Sequence, residues 1–407
     1  MKYVTVIYDG MADMPVPELG GKTPMQAAEK PRFDAMGQDG EVGLVRTVAE
    51  NQSPGSDVAN LSVLGYDPAR YYTGRSPLEA VNIGVPMGPN DLTLRCNLVT
   101  LSEDEPFEQK KMLDYSGGEI STEEAAELIR AVQERFGNMT FSFYAGTQYR
   151  HCMLWKSAAA YIKYLAPLTP PHDISGRLIA GRLPATRTAA ALLHMMRASY
   201  ALLSNHPVNR ERVAAGKRPA NCIWLWGGGT IPALPSFEEC TGLKGSVISA
   251  VDLLKGIGKL AGMRVPDVKG ATGWTDTNYE GKARAAVEEL QSGQDFVYMH
   301  FEASDEAGHR GDTANKVRAI ELIDERVWPI LQDYLDTLDD YAVMILPDHP
   351  TPLRTKTHAN DPVPYMIYRK SWQGAGRGVH SVCEETAART GNFIDFGPDL
   401  IGRFLNL

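Results

Sequence analysis

The chain has 407 residues, 43% hydrophobic and 22% charged, with 41 Lys/Arg against 50 Asp/Glu for a formal net charge of −9. That length allows two to four domains and a sizeable core; the composition argues against disorder, and the acidic balance argues against a nucleic-acid binder. No apolar run approaches the ~18 residues of a membrane span, and five scattered cysteines without a C-x-x-C pair offer neither a disulfide framework nor a thiolate zinc site.

In chain order, the first predicted element is a strand at Lys2–Tyr8 (KYVTVIY) that stops at Asp9-Gly10. It is too short for a secretory leader, so the sequence reads as a cytoplasmic protein with reduced thiols. Residues 53–62 (SPGSDVANLS) form a glycine-containing turn before an apolar helical pattern, with Ser56 at the N-cap position. Helices are predicted over 122–135 and 188–203, then strands at 222–226 (CIWLW) and 246–250 (SVISA). A helix at 282–290, a strand at Phe296–Phe301 (FVYMHF), a helix at 314–336 and a strand at Tyr341–Leu346 (YAVMIL) complete the pattern. Strands alternating with helices imply an α/β protein with a largely parallel sheet.

Proline- and glycine-rich stretches at 84–90 and 216–221 suggest hinges, dividing the chain into a core of 1–87 with 219–407 and an insert of 88–218. Charge supports this division. Residues 136–217 contain ten Lys/Arg and two acids, Asp173 and Glu211, a local balance near +8 that leaves the remainder near −17. A basic insert in an acidic chain suits a small anionic substrate.

The first strand runs into Asp9, the second into Glu302, Asp305 and His309, and the third into Asp348-His349, with His358 nine residues later. In a parallel sheet these points share the edge where open α/β folds bind ligands. Asp305 and His309 have the i, i+4 spacing of one helix face. Three Asp and three His without Cys suit borderline-hard divalent ions. Six ligands are too many for one catalytic ion and fit two ions ~3.5–4 Å apart, the arrangement that clamps phosphoryl transfer. Ser56, at a helix N-terminus that favours phosphate, is the candidate nucleophile; an ordinary helix cap is the alternative.

These motifs, in this order, resemble the alkaline phosphatase superfamily, and within it the archaeal-type branch of the cofactor-independent phosphoglycerate mutases. Further matching stretches are 20–24 (GGKTP), 64–72 (LGYDPARYY), Arg95-Cys96-Asn97, Asp114-Tyr115-Ser116, Tyr149-Arg150-His151 and 361–364 (DPVP). The resemblance implies an alkaline-phosphatase-like core, its largely parallel sheet flanked by helices, with a smaller inserted α/β or α+β substrate-binding domain. Asp305, His309 and His358 would hold one ion, and Asp9, Ser56, Asp348 and His349 the other. Mn²⁺ is the leading expectation, with Zn²⁺, Mg²⁺ and Co²⁺ as alternatives. Ser56 would take the phosphoryl group from 3-phosphoglycerate and return it to give 2-phosphoglycerate, without bisphosphoglycerate, inside domains closed against water.

Charge for such a substrate would come from Arg150, Arg177, Arg182 and Arg210 in the insert, with His172, and from Lys255 in the core. The attacking glycerate hydroxyl needs a base, and His151, His172 and Asp173 are the options. One departure is Asn60, where this family often has His. The GSDVANLSVLGYDP and LPDHPTP wording also resembles a sub-branch proposed as homoserine kinases, so that activity is the rival expectation. A conventional kinase lacks its phosphate cradle here, because Val16 stands where a P-loop before Gly21-Lys22 needs glycine. A phosphatase or sulfatase of the same superfamily and a non-catalytic metal-binding module are the remaining readings.

Overall fold

The chain folds into twelve strands, seen in a computed structural model that describes residues 1–406. They are β1 Lys2–Tyr8, β2 Glu41–Val45, β3 Leu92–Leu101, β4 Met112–Asp114, β5 Phe141–Tyr144, β6 Arg150–Trp155, β7 Cys222–Gly229, β8 Gly245–Ile248, β9 Phe296–Phe301, β10 Tyr341–Leu346, β11 Val363–Arg369 and β12 Phe393–Ile394. Chain contacts divide them between two units, Met1–Tyr72 with Ala233–Leu407, and Thr73–Pro232.

The first unit is built on a seven-stranded sheet of order β12-β2-β11-β10-β1-β9-β8. Only β11 runs against the rest: β8, β9, β1 and β10 pair in parallel, and β11 is antiparallel to both β10 and β2. β9 and β10 are buried along their whole length, which is why each reads as an unbroken apolar run rather than an alternation. Helices Tyr279–Gln291, Thr313–Arg326 and Trp328–Leu335 supply Ala283, Ile320, Trp328 and Leu331 to the core that includes Val4, Met299 and Ile345. The single helix expected over 314–336 is two helices. Pro329 has no N–H to donate to the carbonyl four residues before it, so the first helix ends at Arg326.

The second unit is an antiparallel sheet of order β4-β3-β6-β5 with β7 on the other side of β3, covered by helices Thr122–Phe136 and Ala190–Ser204. It is the α+β form of the expected insert. Its limits are wider than 88–218 because β7 pairs with β3 from Cys222 to Gly229. Helix Arg75–Ile83 belongs here too: Ala80 and Val85 pack with Cys152 and Leu154 of β6. The true joint lies at 72/73 and 232/233. Gly74 sits beside it at φ +121°, where a Cβ would lie 2.4 Å from the Gly228 carbonyl oxygen, so a side chain is excluded twice. Among the described residues no helix is long and apolar enough to cross a membrane.

Candidate active site

Three neighbouring parallel strands, β10, β1 and β9, deliver Asp348-His349, Asp9 and Asp305 to the same sheet edge. β11 runs the other way, so the loop entering it brings His358 there as well. Helix Ala303–Arg310 carries Asp305 and His309 one turn apart, with Asp305 Oδ2 3.3 Å from His309 Nε2. His358 Nε2 lies 2.9 Å from His309 Nε2 and 3.4 Å from Asp305 Oδ1. His349 Nε2 lies 3.6 Å from Asp9 Oδ1 and 3.5 Å from Asp348 Oδ2, and its ring centroid is 4.0 Å from that of His358. Donor atoms of Asp305, His309 and His358 fall within 4.8 Å of one another, as do those of Asp9, Asp305 and His349.

Ser56 is the first residue of helix Ser56–Val63, not its cap; extended Gly55 holds the cap position. Its hydroxyl makes no capping bond and instead lies 3.1 Å from His349 Nε2. That orientation removes the helix-cap alternative. Asn60, one turn on, donates its amide to the Ser56 carbonyl and to Asp348 Oδ2, both at 2.8 Å, and accepts from the Tyr298 hydroxyl at 2.5 Å. At this position the amide holds the Ser56 turn against a carboxylate.

Electrostatics show what the cluster lacks. Asp9, Asp305 and Asp348 are all buried. Burial, and then the charges of Asp348 and Asp305, push the Asp9 carboxyl well above its usual range. Asp9 Oδ1 has no hydrogen-bond partner. Burial opposes charge on His309 too, yet its bond to Asp305 raises it to about 9. The other nitrogens of His309 and His358 rest on the carbonyls of Lys356 and Pro54, which places hydrogens there and turns the two Nε2 atoms toward one another and toward Asp305. An orphaned carboxylate oxygen, crowded acids and converging imidazole nitrogens are the donor set of divalent cations, and the residues present fit such ions.

His300 was not legible as a site residue. It lies inside β9 with Nε2 2.8 Å from Asp9 Oδ2 and Nδ1 3.3 Å from Ser249 Oγ. Burial holds it down at about 4, so it is a neutral partner that orients Asp9. A wholly buried strand has no alternation against which such a residue could stand out.

The second unit has its own charged cluster. Glu79 Oε1 and Oε2 meet Arg75 Nε at 2.9 Å and Arg95 Nε at 2.8 Å. Burial works against the Glu79 charge, but Arg95 and Arg75 hold its carboxyl below the usual range, with Arg150 adding to them. Arg95 also lies over the Trp226 ring, 4.2 Å from its centroid. Neither Arg75 nor Arg95 falls in the basic segment that drew attention in the sequence; Arg95 was visible only in a matching stretch.

The remaining expected residues are scattered. Arg150 is half-buried over Tyr149, while Arg177, Arg182 and Arg210 are exposed. His172 and Asp173 share a short 3₁₀ turn, 3.6 Å apart and exposed, with the His172 ring edge-on to Trp226. Lys255 meets Asp267 at 3.0 Å. His151 does not suit a base: its Nδ1 accepts the Gly146 N–H at 3.0 Å, and burial together with Arg150 holds it down at about 3. The ring keeps a hydrogen on Nε2, which has no partner.

Comparisons with known proteins identify what the chain is similar to. A family model described as 2,3-bisphosphoglycerate-independent phosphoglycerate mutase matches residues 37–209. A probable 2,3-bisphosphoglycerate-independent phosphoglycerate mutase of Geobacter sulfurreducens is 48% identical over 406 residues, covering 100% of both chains. A 2,3-bisphosphoglycerate-independent phosphoglycerate mutase of Methanothrix thermoacetophila is 48% identical over 405 residues, covering 98% of both. Among solved structures, the cofactor-independent phosphoglycerate mutase from Thermoplasma acidophilum aligns with a TM-score of 0.62 at 26% identity, covering 100% of this chain and 99% of the other. A Pyrococcus horikoshii protein aligns with a TM-score of 0.81 at 28% identity, covering 100% and 97%. These names give the homoserine kinase alternative no support.

Proposed function

The chain belongs to the 2,3-bisphosphoglycerate-independent phosphoglycerate mutase family, and from that premise we infer how its residues move a phosphoryl group between the 3- and 2-positions of glycerate. The enzyme is an isomerase acting on a small phosphorylated substrate. The observation that carries the reading is the Ser56 hydroxyl 3.1 Å from His349 Nε2, at a helix N-terminus within a nest of buried Asp and His.

Ser56 Oγ attacks phosphorus as its proton leaves, the bond from phosphorus to the substrate oxygen breaks, that oxygen takes up a proton to become a glycerate hydroxyl, and the group rests on Ser56 as a phosphoserine. Glycerate turns, its other hydroxyl attacks, and Ser56 is regenerated. The helix N-terminus favours the phosphoryl charge throughout. Asp305, His309 and His358 are proposed to hold one divalent ion, and Asp9, Ser56, Asp348 and His349 a second, with Mn²⁺ the expected metal. Bound there, the ions would lower the serine hydroxyl pKa and neutralise charge on the transferring group.

In the second unit, Arg75, Arg95 and Arg150 gather about the Glu79 carboxylate, and this basic cluster is proposed to receive the substrate carboxylate. Asp173, beside His172, is the proposed proton acceptor, while His151 offers only an N–H. Arg177, Arg182, Arg210 and Lys255 are proposed to contribute charge around the substrate. All five thiols stand free, which supports a cytoplasmic setting.

The test is ³¹P NMR of the purified chain with Mn²⁺ and 3-phosphoglycerate, then with ATP and homoserine. The expected result is 2-phosphoglycerate without added bisphosphoglycerate. Inorganic phosphate as the main product would favour the hydrolase reading, and phosphohomoserine alone would favour the kinase.

A further inference from the structure

Thr351 lies two residues beyond His349 and is fully buried. Its hydroxyl oxygen is 2.5 Å from Asp305 Oδ1 and 3.2 Å from His349 Nδ1. A hydroxyl has one proton to give. The shorter contact is the donor bond, from the Thr351 hydroxyl to the Asp305 carboxylate. The proton therefore goes to Asp305, and Thr351 meets His349 as an acceptor. That places the imidazole hydrogen on Nδ1 and leaves Nε2 as a bare lone pair toward Ser56 and Asp9.

We propose that Thr351 is a positioning residue that fixes the tautomer of His349 and ties it to Asp305, joining the two halves of the ligand set. The inference rests on the two-ion reading. His309 and His358 have their Nδ1 atoms against backbone carbonyls. At His349 the Pro350 carbonyl also faces the ring, and the Thr351 hydroxyl adds a side-chain contact at Nδ1 while bonding a ligand of the other ion.

The surrounding backbone is cleared for this contact. Gly10, at φ +62°, would place a Cβ 2.6 Å from Thr351 Oγ1. Gly308 would place one 2.5 Å from the Thr351 carbonyl oxygen and 2.8 Å from its Cγ2. That carbonyl accepts from Lys316 Nζ at 2.7 Å, and Lys316 is bound on its other side to Asp13 at 2.8 Å, both fully buried. The end of β1 and helices Ala303–Arg310 and Thr313–Arg326 thus converge on one threonine.

The test compares Thr351→Val, which removes the hydroxyl at nearly constant volume, with Thr351→Ser, which keeps it. ¹⁵N-histidine NMR of the metal-free chain, with His349 assigned through His349→Gln, should show the Nδ1–H form in the parent and lose it in T351V. Mn²⁺ titration followed by the EPR signal of the free aqua ion should show two sites, weakened about 10–100-fold by T351V and restored by T351S. A parent His349 in the Nε2–H form, or T351V binding both ions as the parent does, would overturn the proposal. A parent that binds fewer than two ions would instead refute the two-ion reading, and the tautomer in the metal-free chain would still decide the role of Thr351. If T351V does not fold, the parent tautomer and T351S decide it.

Discussion

The Tyr298 hydroxyl donates to Asn60 Oδ1 at 2.5 Å, and this bond determines which end of the amide faces Asp348. With Oδ1 engaged, Asn60 must present its NH₂ to Asp348 and the Ser56 carbonyl. Tyr298→Phe strands the buried amide oxygen and should cost about 1–3 kcal/mol of stability. Asn60→Asp sets a carboxylate against Asp348 and should lower stability and turnover further. Denaturant midpoints and initial rates of both variants check the order.

Ser56→Ala removes the proposed attacking oxygen and one of the seven proposed ligands. Turnover should fall by roughly 10³-fold or more, in line with the loss of a nucleophile elsewhere, while the chain still takes up divalent metal. Elemental analysis beside a mutase assay measures both. Full activity in Ser56→Ala would discard a serine-bound intermediate.

Chelation should abolish activity, and Mn²⁺ should restore it. Because the ligands are assembled only in the folded chain, bound metal should also raise the unfolding temperature in a concentration-dependent way. A thermal scan across a Mn²⁺ series provides the measurement, and an unmoved transition would count against the cluster as a metal centre.

Glu79→Gln leaves Arg95, only 7% exposed, without its counter-charge. Losing one partner of a buried pair should destabilise the second unit by about 3–5 kcal/mol. Arg75→Gln, which leaves the Glu79–Arg95 pair intact, should cost less stability and mainly raise KM. Urea unfolding and steady-state kinetics distinguish the two effects.

His151 titrates near 3 in the folded chain against an ordinary value of about 6.5. Below 6.5 the unfolded chain takes a proton that the folded chain refuses. Stability should therefore fall with acid from about pH 6.5 downward, by up to about 1.4 kcal/mol per pH unit from this residue. His300, held near 4, contributes in the same direction. His151→Asn, whose side-chain oxygen can still accept the Gly146 N–H, should flatten this limb between pH 6.5 and 5, as read from denaturation midpoints.

Most of the metal cluster was legible because its members sit directly after strands that are themselves plain in the sequence. The continuous apolar runs of β1, β9 and β10 coincide with the predicted strands, so the residues following them could be placed at one edge. What supports the ligands was not legible. His300 and Tyr298 lie within a buried strand, and Thr351 and Lys316 act through contacts that only the folded backbone creates. The unit boundary was misplaced because glycines and prolines mark turns, whereas membership of a unit is decided by pairing, here of β7 with β3. Arg75 and Arg95 were hidden for the opposite reason: a local excess of charge, as around the exposed Arg177, Arg182 and Arg210, does not reveal which side chains lie beside a buried carboxylate.

The reversed direction of β11 has a consequence for biosynthesis. Asp9 precedes the whole second unit in the chain and His358 follows it, so the second unit is made between them. Central strand β1 pairs with β9 and β10, both nearly three hundred residues or more downstream, so the sheet cannot close during early translation and its formation should be slow. The Asp/His cluster is therefore completed only once the residues around His358 have been made.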